Sequence, residues 1–213
     1  VEEDLDRWDE LYYVGADAYE SGRLQGKILV EECRKNFNKI DKNKDGVLQY
    51  VMLEGEAGHN DSLARSMAVI EEITESGYMV EKLADEIANW NRDQAATKMQ
   101  TFLDTYGEEI EVILANNDDM ALGAVDVLTE AGLKPGDTDW PVILGIDGTS
   151  VGLEVVKKGE LLGTVFNDGE GQAHAMLELA YALVTENELP EEYQLKDGKY
   201  IRLPYREITA ENL

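Results

Sequence analysis

The chain has 213 residues, 43% of them hydrophobic, enough to bury a sizeable core as one large domain or one and a half smaller ones. Its formal charge is -26, from 45 acids against 19 bases; such a surface repels nucleic acid and anionic membranes and concentrates divalent cations. The lone Cys33 excludes an internal disulfide framework, no apolar run reaches transmembrane length, and the opening Val1-Glu2-Glu3-Asp4, with neither methionine nor signal peptide, reads as a processed or truncated start.

Short runs rich in β-formers alternate with segments of helical period. In chain order the pattern predicts a strand at 11–14, a helix at 18–38, a strand at 47–53 and a helix at 61–76. Then come a strand at 78–83, a helix at 91–105, a strand at 112–115, a helix at 119–131 and a strand at 142–146. A helix at 149–158, a strand at 164–166, a helix at 170–186 and a strand at 200–203 complete the series. Within 61–76, Leu63, Met67 and Ile70 share one apolar stripe, Asn60 or Asp61 can cap the start, and Gly77 can end the helix. The unit 112–115, helix, 142–146 reads as β-α-β, with Pro141 at the strand edge where it is tolerated. Strands alternating with helices imply an α/β fold, a mostly parallel sheet with helices on both faces. The helix at 170–186 carries Ala173, Met176, Leu177, Ala180 and Leu183 and needs a partner surface. No repeat and no low-complexity linker interrupts the chain.

The stretch Asp41-Lys42-Asn43-Lys44-Asp45-Gly46-Val47-Leu48-Gln49 is the most distinctive. Oxygen-bearing side chains stand at 41, 43, 45 and 49, glycine is sixth for the sharp turn, and a backbone carbonyl at Val47 is seventh. That is the front of an EF-hand calcium loop, because calcium takes six to eight hard oxygen ligands and this spacing can wrap around it. The twelfth position, where the bidentate glutamate belongs, is Met52. Either the site is broken or the carboxylate comes from elsewhere in the chain.

In open α/β sheets ligands sit beyond the carboxyl ends of the strands. After the second strand come His59, Asp61 and Arg65; from spacing alone Asp61 and Arg65 read as a capping aspartate paired with an arginine one turn on. Asn116-Asn117-Asp118-Asp119 at the next junction reads as capping chemistry. Asp147-Gly148 and Asn167-Asp168-Gly169 are ordinary turn signals, and Trp90 before a helix start is more often core than ligand platform. Taken together, these loops gather carboxylate, amide, imidazole, guanidinium and indole groups. That mixture suits a sugar, whose hydroxyls pair with planar polar groups and whose C–H face stacks on an aromatic ring.

These residues give the chain its resemblance to the periplasmic galactose/glucose-binding proteins, solute receptors for sugar import and chemotaxis. The markers are Tyr12-Tyr13-Val14-Gly15, Asp41–Gln49, Gly58-His59-x-Asp61, Ala115-Asn116-Asn117-Asp118, Gly145-Ile146-Asp147, Gly163–Asp168 and Arg202-Leu203-Pro204-Tyr205, and they cover essentially the whole chain. The resemblance implies calcium ligands at Asp41, Asn43, Asp45, the Val47 carbonyl and Gln49, with the bidentate carboxylate supplied by Glu111 in place of position twelve. Calcium would be structural, tying the loop to the neighbouring strand. The implied sugar contacts are His59, Asp61, Arg65, Asn117, Asp147 and Asn167, with Trp90 as a stacking wall. Family members have two lobes, and the resemblance places this chain after about the first third. It assigns 16–166 plus 205–213 to a calcium-binding C-terminal lobe, and 1–15 and 167–204 to the other lobe.

The resemblance implies a non-enzymatic, periplasmic or extracellular protein that hands glucose or galactose to an ABC transporter permease, with a chemoreceptor as a further partner. Attachment by lipid or free secretion is left open. Binding would close two lobes on the sugar, so a chain holding half the cleft is expected to bind sugar weakly or not at all. The 170–186 helix is expected to refold onto the lobe, swap into another chain or drive dimerisation; an ordered, exposed helix in a monodisperse monomer would contradict this. The alternative is a sugar-sensing effector domain of a transcription regulator, which predicts a basic helix-turn-helix that this sequence does not contain. An EF-hand sensor predicts helices on both sides of the loop and an acid at Met52. For an enzyme, no recognisable motif sets a nucleophile beside His59 and Asp61, and nothing fixes the separation of Asp61 and Asp147 as a carboxylate pair.

Overall fold

The structure, a computed structural model, describes residues 11–213. It divides into two compact units: Ala18–Asn167 with Tyr205–Leu213, and Asp168–Pro204 with the described residues up to Asp17. Residues 1–10 of the segment assigned to the other lobe lie outside the described residues.

The larger unit is an α/β layer structure. Its strands are β2 (Val47–Glu54), β3 (Met79–Ile87), β4 (Val112–Ala115), β5 (Val142–Leu144), β6 (Gly163–Phe166) and β8 (Arg206–Thr209). They lie in the order β3-β2-β4-β5-β6-β8, parallel throughout except for β8, which pairs antiparallel with β6. The β8 strand was not foreseen; Arg206-Glu207-Ile208-Thr209 is too short for its alternation to stand out. The helices are α1 (Ala18–Ile40), α2 (Asn60–Glu75), α3 (Arg92–Tyr106), α4 (Asp118–Glu130) and α5 (Ser150–Lys157). Parallel strands joined through helices must be covered on both faces, and β2 and β4 are accordingly buried along nearly their whole lengths. On one face Val51, Leu53, Ile113, Ala115 and Ile143 join Met99, Phe102, Met120, Leu128 and Val156 in one core. The opposite face is covered by α1 and α2. Their backbones approach at Gly22 and Gly26, where a Cβ would come within 2.6 Å of the Arg65 carbonyl and 2.8 Å of the Val69 carbonyl.

The apolar stripe Leu63, Met67 and Ile70 does not face this core. Leu63 and Met67 are more than half exposed, and α2 instead buries Ser62, Arg65, Ala68, Val69 and Ile73. Burying Arg65 sets the rotation of the helix, so the polar site outweighs the local apolar period. Nor does Asn60 or Asp61 cap α2: His59 is the cap, its Nδ1 accepting the Asp61 N–H at 3.1 Å, and Gly77 (φ 91°) follows the end as expected.

In the smaller unit β1 (Tyr13–Gly15) pairs parallel with β7 (Tyr200–Arg202). The helix α6 (Gly169–Thr185), capped by Asp168, buries Ala175, Leu179 and Ala182. Ala175 and Leu179 pack with Ile201 beside Val14, Leu189 and Leu203. Ala173, Met176, Leu177, Ala180 and Leu183, the residues marked as needing a partner surface, are all exposed.

Candidate functional site

The chain leaves β2 through α2 to β3 on one side, then returns through α3 to β4 on the other side of β2. The loops after β2 and β4 therefore diverge to opposite faces and open a crevice at the carboxyl ends. Every sugar-contact residue expected from the sequence lies in the larger unit: His59, Asp61 and Arg65 after β2, Trp90 after β3, Asn117 after β4, Asp147 after β5 and Asn167 after β6.

Arg65 is the centre. It is 5% exposed; its guanidinium donates to the Asn116 carbonyl at 2.7 Å and the Tyr205 hydroxyl at 3.4 Å and faces Asp147 Oδ1 at 3.5 Å. Its ion pair is therefore with Asp147, far along the chain, rather than with Asp61 one turn before it. The Arg65 Nε is buried without a hydrogen-bond partner among the described residues. The Trp90 ring lies 5.6 Å from the guanidinium, and His59 meets that ring edge-on at 5.3 Å.

Trp90 is half-buried, packed against the main core and also presented to the site. Asn89 and Trp90 both take left-handed backbone (φ 52° and 61°), a conformation unfavourable for such side chains. The indole lies over Gly55, where a Cβ would fall 2.2 Å from the ring. Gly55→Ala is expected to displace the Trp90 ring and cost about 1–3 kcal/mol by overpacking. An unchanged Trp90 indole resonance and unchanged denaturant midpoint would contradict that.

Asn117 does cap α4, its Oδ1 accepting the Met120 N–H at 2.9 Å, and its Nδ2 donates to the Trp90 carbonyl at 3.4 Å. Capping and site geometry thus fall on one residue. Asp147 is not in an ordinary turn: its φ is 124°, and its carbonyl accepts the Asn167 N–H at 2.9 Å. Burial pushes its carboxyl up to about 6, with Arg65 pulling down and Asp118 and Asp119 pushing further up. Sequence reasoning missed the braces. Asn116 Oδ1 accepts from Gly55 N–H and Ser62 Oγ, both at 3.0 Å, and buried Gln25 clamps the carbonyls of Ala115, Leu144 and Gly145. Tyr205 was legible only as part of the terminal marker.

The 41–49 loop runs from a helix into a strand, not between two helices, and Met52 is buried in β2. Asp41 accepts the N–H groups of Asp45 and Gly46, and Asp45 Oδ1 accepts that of Val47. Asn43 and Gln49 amides donate to Asp45 Oδ2, both at 3.0 Å. Glu111, 1% exposed, accepts Lys42 N–H at 2.5 Å and Gln49 N–H at 3.1 Å across 69 and 62 residues of chain. Lys42 Nζ, its basicity lowered by burial, donates to the carbonyls of Ile110 and Asp139. Among the described residues no three histidine, cysteine, aspartate or glutamate side chains close together as a metal cluster. A hard cation here would draw on Asp41, Asp45 and Glu111 with amide and carbonyl oxygens from Asn43, Gln49 and Val47. The donors suit calcium, because Asp41 and Glu111 are buried carboxylates and rotating two amides presents their oxygens.

A family model, the periplasmic binding protein domain, matches residues 1–188. The chain belongs to this family. Periplasmic binding protein domains similar to it include the D-galactose/methyl-galactoside binding periplasmic protein of Haemophilus influenzae, 36% identical over 97% of this chain and 61% of that protein. The xylitol-binding protein of Mycolicibacterium smegmatis is 33% identical over 78% of this chain and 47% of its own length. Among solved structures, an ABC transporter solute binding protein from Bacillus halodurans with bound myo-inositol aligns with a TM-score of 0.74 and 30% identity, covering 94% of this chain and 61% of that one. Another, from Actinobacillus succinogenes with bound D-allose, gives 0.76 and 25%, covering 95% and 64%. The chain thus spans under two thirds of these relatives. They are binding proteins rather than enzymes, as the sequence reading expected, and their ligands differ. No helix among the described residues is long and apolar enough to cross a membrane.

Proposed function

We propose that this is a non-enzymatic, extracytoplasmic sugar-binding protein that takes glucose or galactose and delivers it to an ABC transporter permease. The observation that carries the reading is the Arg65–Asp147 pair at the switch-point crevice, beside the Trp90 ring and with the Arg65 Nε–H unsatisfied among the described residues. Sugar hydroxyls act as both donors and acceptors, so a carboxylate beside a guanidinium can serve one hydroxyl in each role. The relatives support a polyol or monosaccharide; the galactoside-binding name of one of them favours galactose or glucose within that class. A structural calcium ion held by Asp41, Asn43, Asp45, Val47, Gln49 and Glu111 belongs to the same proposal. So does a chemoreceptor partner. The exposed apolar face of α6 supports pairing or a swap through that helix, which sedimentation velocity tests: a monodisperse monomer contradicts it.

Calorimetric titration of the complete gene product with glucose and galactose tests the sugar reading. Saturable binding with Kd below about 1 mM is expected for at least one; no heat with either overturns it. The pH dependence has a definite sign. The Asp147 carboxyl titrates at about 6 against an ordinary 3.8. A raised folded value means that its protonated form favours the unliganded fold: that stability is fully present below the ordinary value and is lost as pH rises through about 6. A hydroxyl donates to the ionised form, so affinity should weaken by about tenfold per pH unit below the midpoint. A Kd flat from pH 7 down to the ordinary carboxylate range excludes Asp147 as the acceptor.

A further inference from the structure

The Asp147 turn is strained and needs a restraint beyond its own hydrogen bonds. Asp147 has φ 124° and Gly148 φ 66°. Directly beneath them lies Asp118, a fully buried carboxylate at the start of α4. Its Oδ2 accepts the Thr149 N–H at 2.7 Å and the Thr149 hydroxyl at 3.0 Å, and its Oδ1 accepts the Thr164 hydroxyl at 2.6 Å. Thr164 Oγ1 in turn accepts the Gly148 N–H at 3.3 Å, and the Asp118 backbone N–H donates to the Ile146 carbonyl at 2.7 Å. The residues on either side of the turn are thus tied to one side chain.

The neighbours are shaped to admit that carboxylate. A Cβ on Gly145 would lie 2.4 Å from Oδ1, and one on Gly152 would lie 2.2 Å from Oδ2. Among the described residues no salt bridge reaches Asp118; neutral N–H and O–H donors satisfy it. An anion kept dry by neutral donors is costly merely to cap a helix, and Asn117 already caps α4. Its position explains its presence: it spans the ends of β5 and β6 and the start of α5, between which the Asp147 turn is strung.

We propose that Asp118 is the positioning residue of the binding site, holding Gly148 and Thr149 so that the Asp147 carboxylate faces Arg65 and the incoming ligand. For the identity of that ligand the proposal rests on the saccharide reading. The geometry of the turn does not depend on it. Asp118 also contributes a second negative charge below Asp147, one of the causes of its raised titration.

The test uses the complete gene product as wild type, Asp118→Asn and Thr164→Val. The second variant keeps side-chain shape and secures the test if the first does not fold. Val156→Ala, in the core away from the turn, is the control for general destabilisation. Three readouts are compared: amide hydrogen exchange at Asp147, Gly148 and Thr149, the Asp147 carboxyl midpoint by carbon NMR, and calorimetric Kd for glucose and galactose. In Asp118→Asn, exchange at the turn should rise, the Asp147 midpoint should fall from about 6 toward its ordinary value, and Kd should rise at least about tenfold. Thr164→Val should show faster exchange at the turn and a weaker Kd, both by less. Exchange and midpoint indistinguishable from Val156→Ala, or an unchanged Kd in a folded variant, overturn the proposal. If wild type binds neither sugar, the saccharide reading fails while exchange and midpoint alone decide the positioning role.

Discussion

Arg65→Ala is expected to abolish sugar binding and to lower stability by about 2–4 kcal/mol. The guanidinium is 5% exposed and satisfies the Asn116 carbonyl, the Tyr205 hydroxyl and the Asp147 carboxylate at once. Truncation leaves a buried carbonyl without its donor and a carboxylate without its counter-charge. Asp147 retains 31% side-chain exposure, so water offsets part of the loss and the cost stays below that of a fully buried pair. Arg65→Lys should recover some stability but little affinity, because one ammonium cannot span three acceptors set out for a planar fork. Asp61→Ala, one turn earlier on the same helix, separates binding from folding. Asp61 makes no ion pair among the described residues, so its loss should weaken binding with stability nearly unchanged. Calorimetry and urea unfolding of the three variants check this. An Arg65→Ala protein with wild-type affinity would remove Arg65 from the site.

Calcium is expected to stabilise the protein substantially, and Glu111→Gln to erase that effect. A ligand at a hundred times its Kd stabilises the form that binds it by about 2.7 kcal/mol. In a chain of this size that is a rise of about 5–11 °C in Tm. The cause is local: Asp41 and Glu111 are buried carboxylates close enough to repel, and burial holds the Glu111 carboxyl above its ordinary value. A divalent cation relieves both effects. Glutamine preserves size but sets an NH2 group near the Lys42 and Gln49 N–H groups, so the variant should also be less stable without metal. Melting curves in excess calcium and in excess chelator measure both. Equal Tm in the two conditions for wild type would exclude a structural calcium ion.

Much of this architecture is carried by local signals. Alternating strand and helix periods give the α/β layers, and the short apolar runs Val112-Ile113-Leu114-Ala115 and Val47–Leu53 are strands buried along nearly their whole lengths. Asn117 marks a helix start by its own capping chemistry, as does Asn91, whose Oδ1 accepts the Gln94 N–H at 3.0 Å, and Asp41–Gln49 sets oxygen-bearing side chains at the spacing of a calcium loop. Where the apolar period conflicted with a distant polar partner, the local signal misled. On α2, Leu63 and Met67 turn to solvent because Arg65 reaches Asn116 and Asp147, 51 and 82 positions away. Periodicity carries no information about such partners.

By itself, then, the sequence determined the alternating layers, some of the helix starts and the oxygen spacing of the 41–49 loop. Only the tertiary structure decided which of them meet. The strand order puts the ends of β2 and β4 side by side and turns their helices to opposite faces. That juxtaposition pairs Arg65 with Asp147 and brings Glu111 to the 41–49 loop. It also lays Trp90 over Gly55 and sets Asp118 under a strained turn. The physical reason is that sheet register and helix docking are settled by the burial of the whole core, while spacing along the chain reports only contacts within a turn or two.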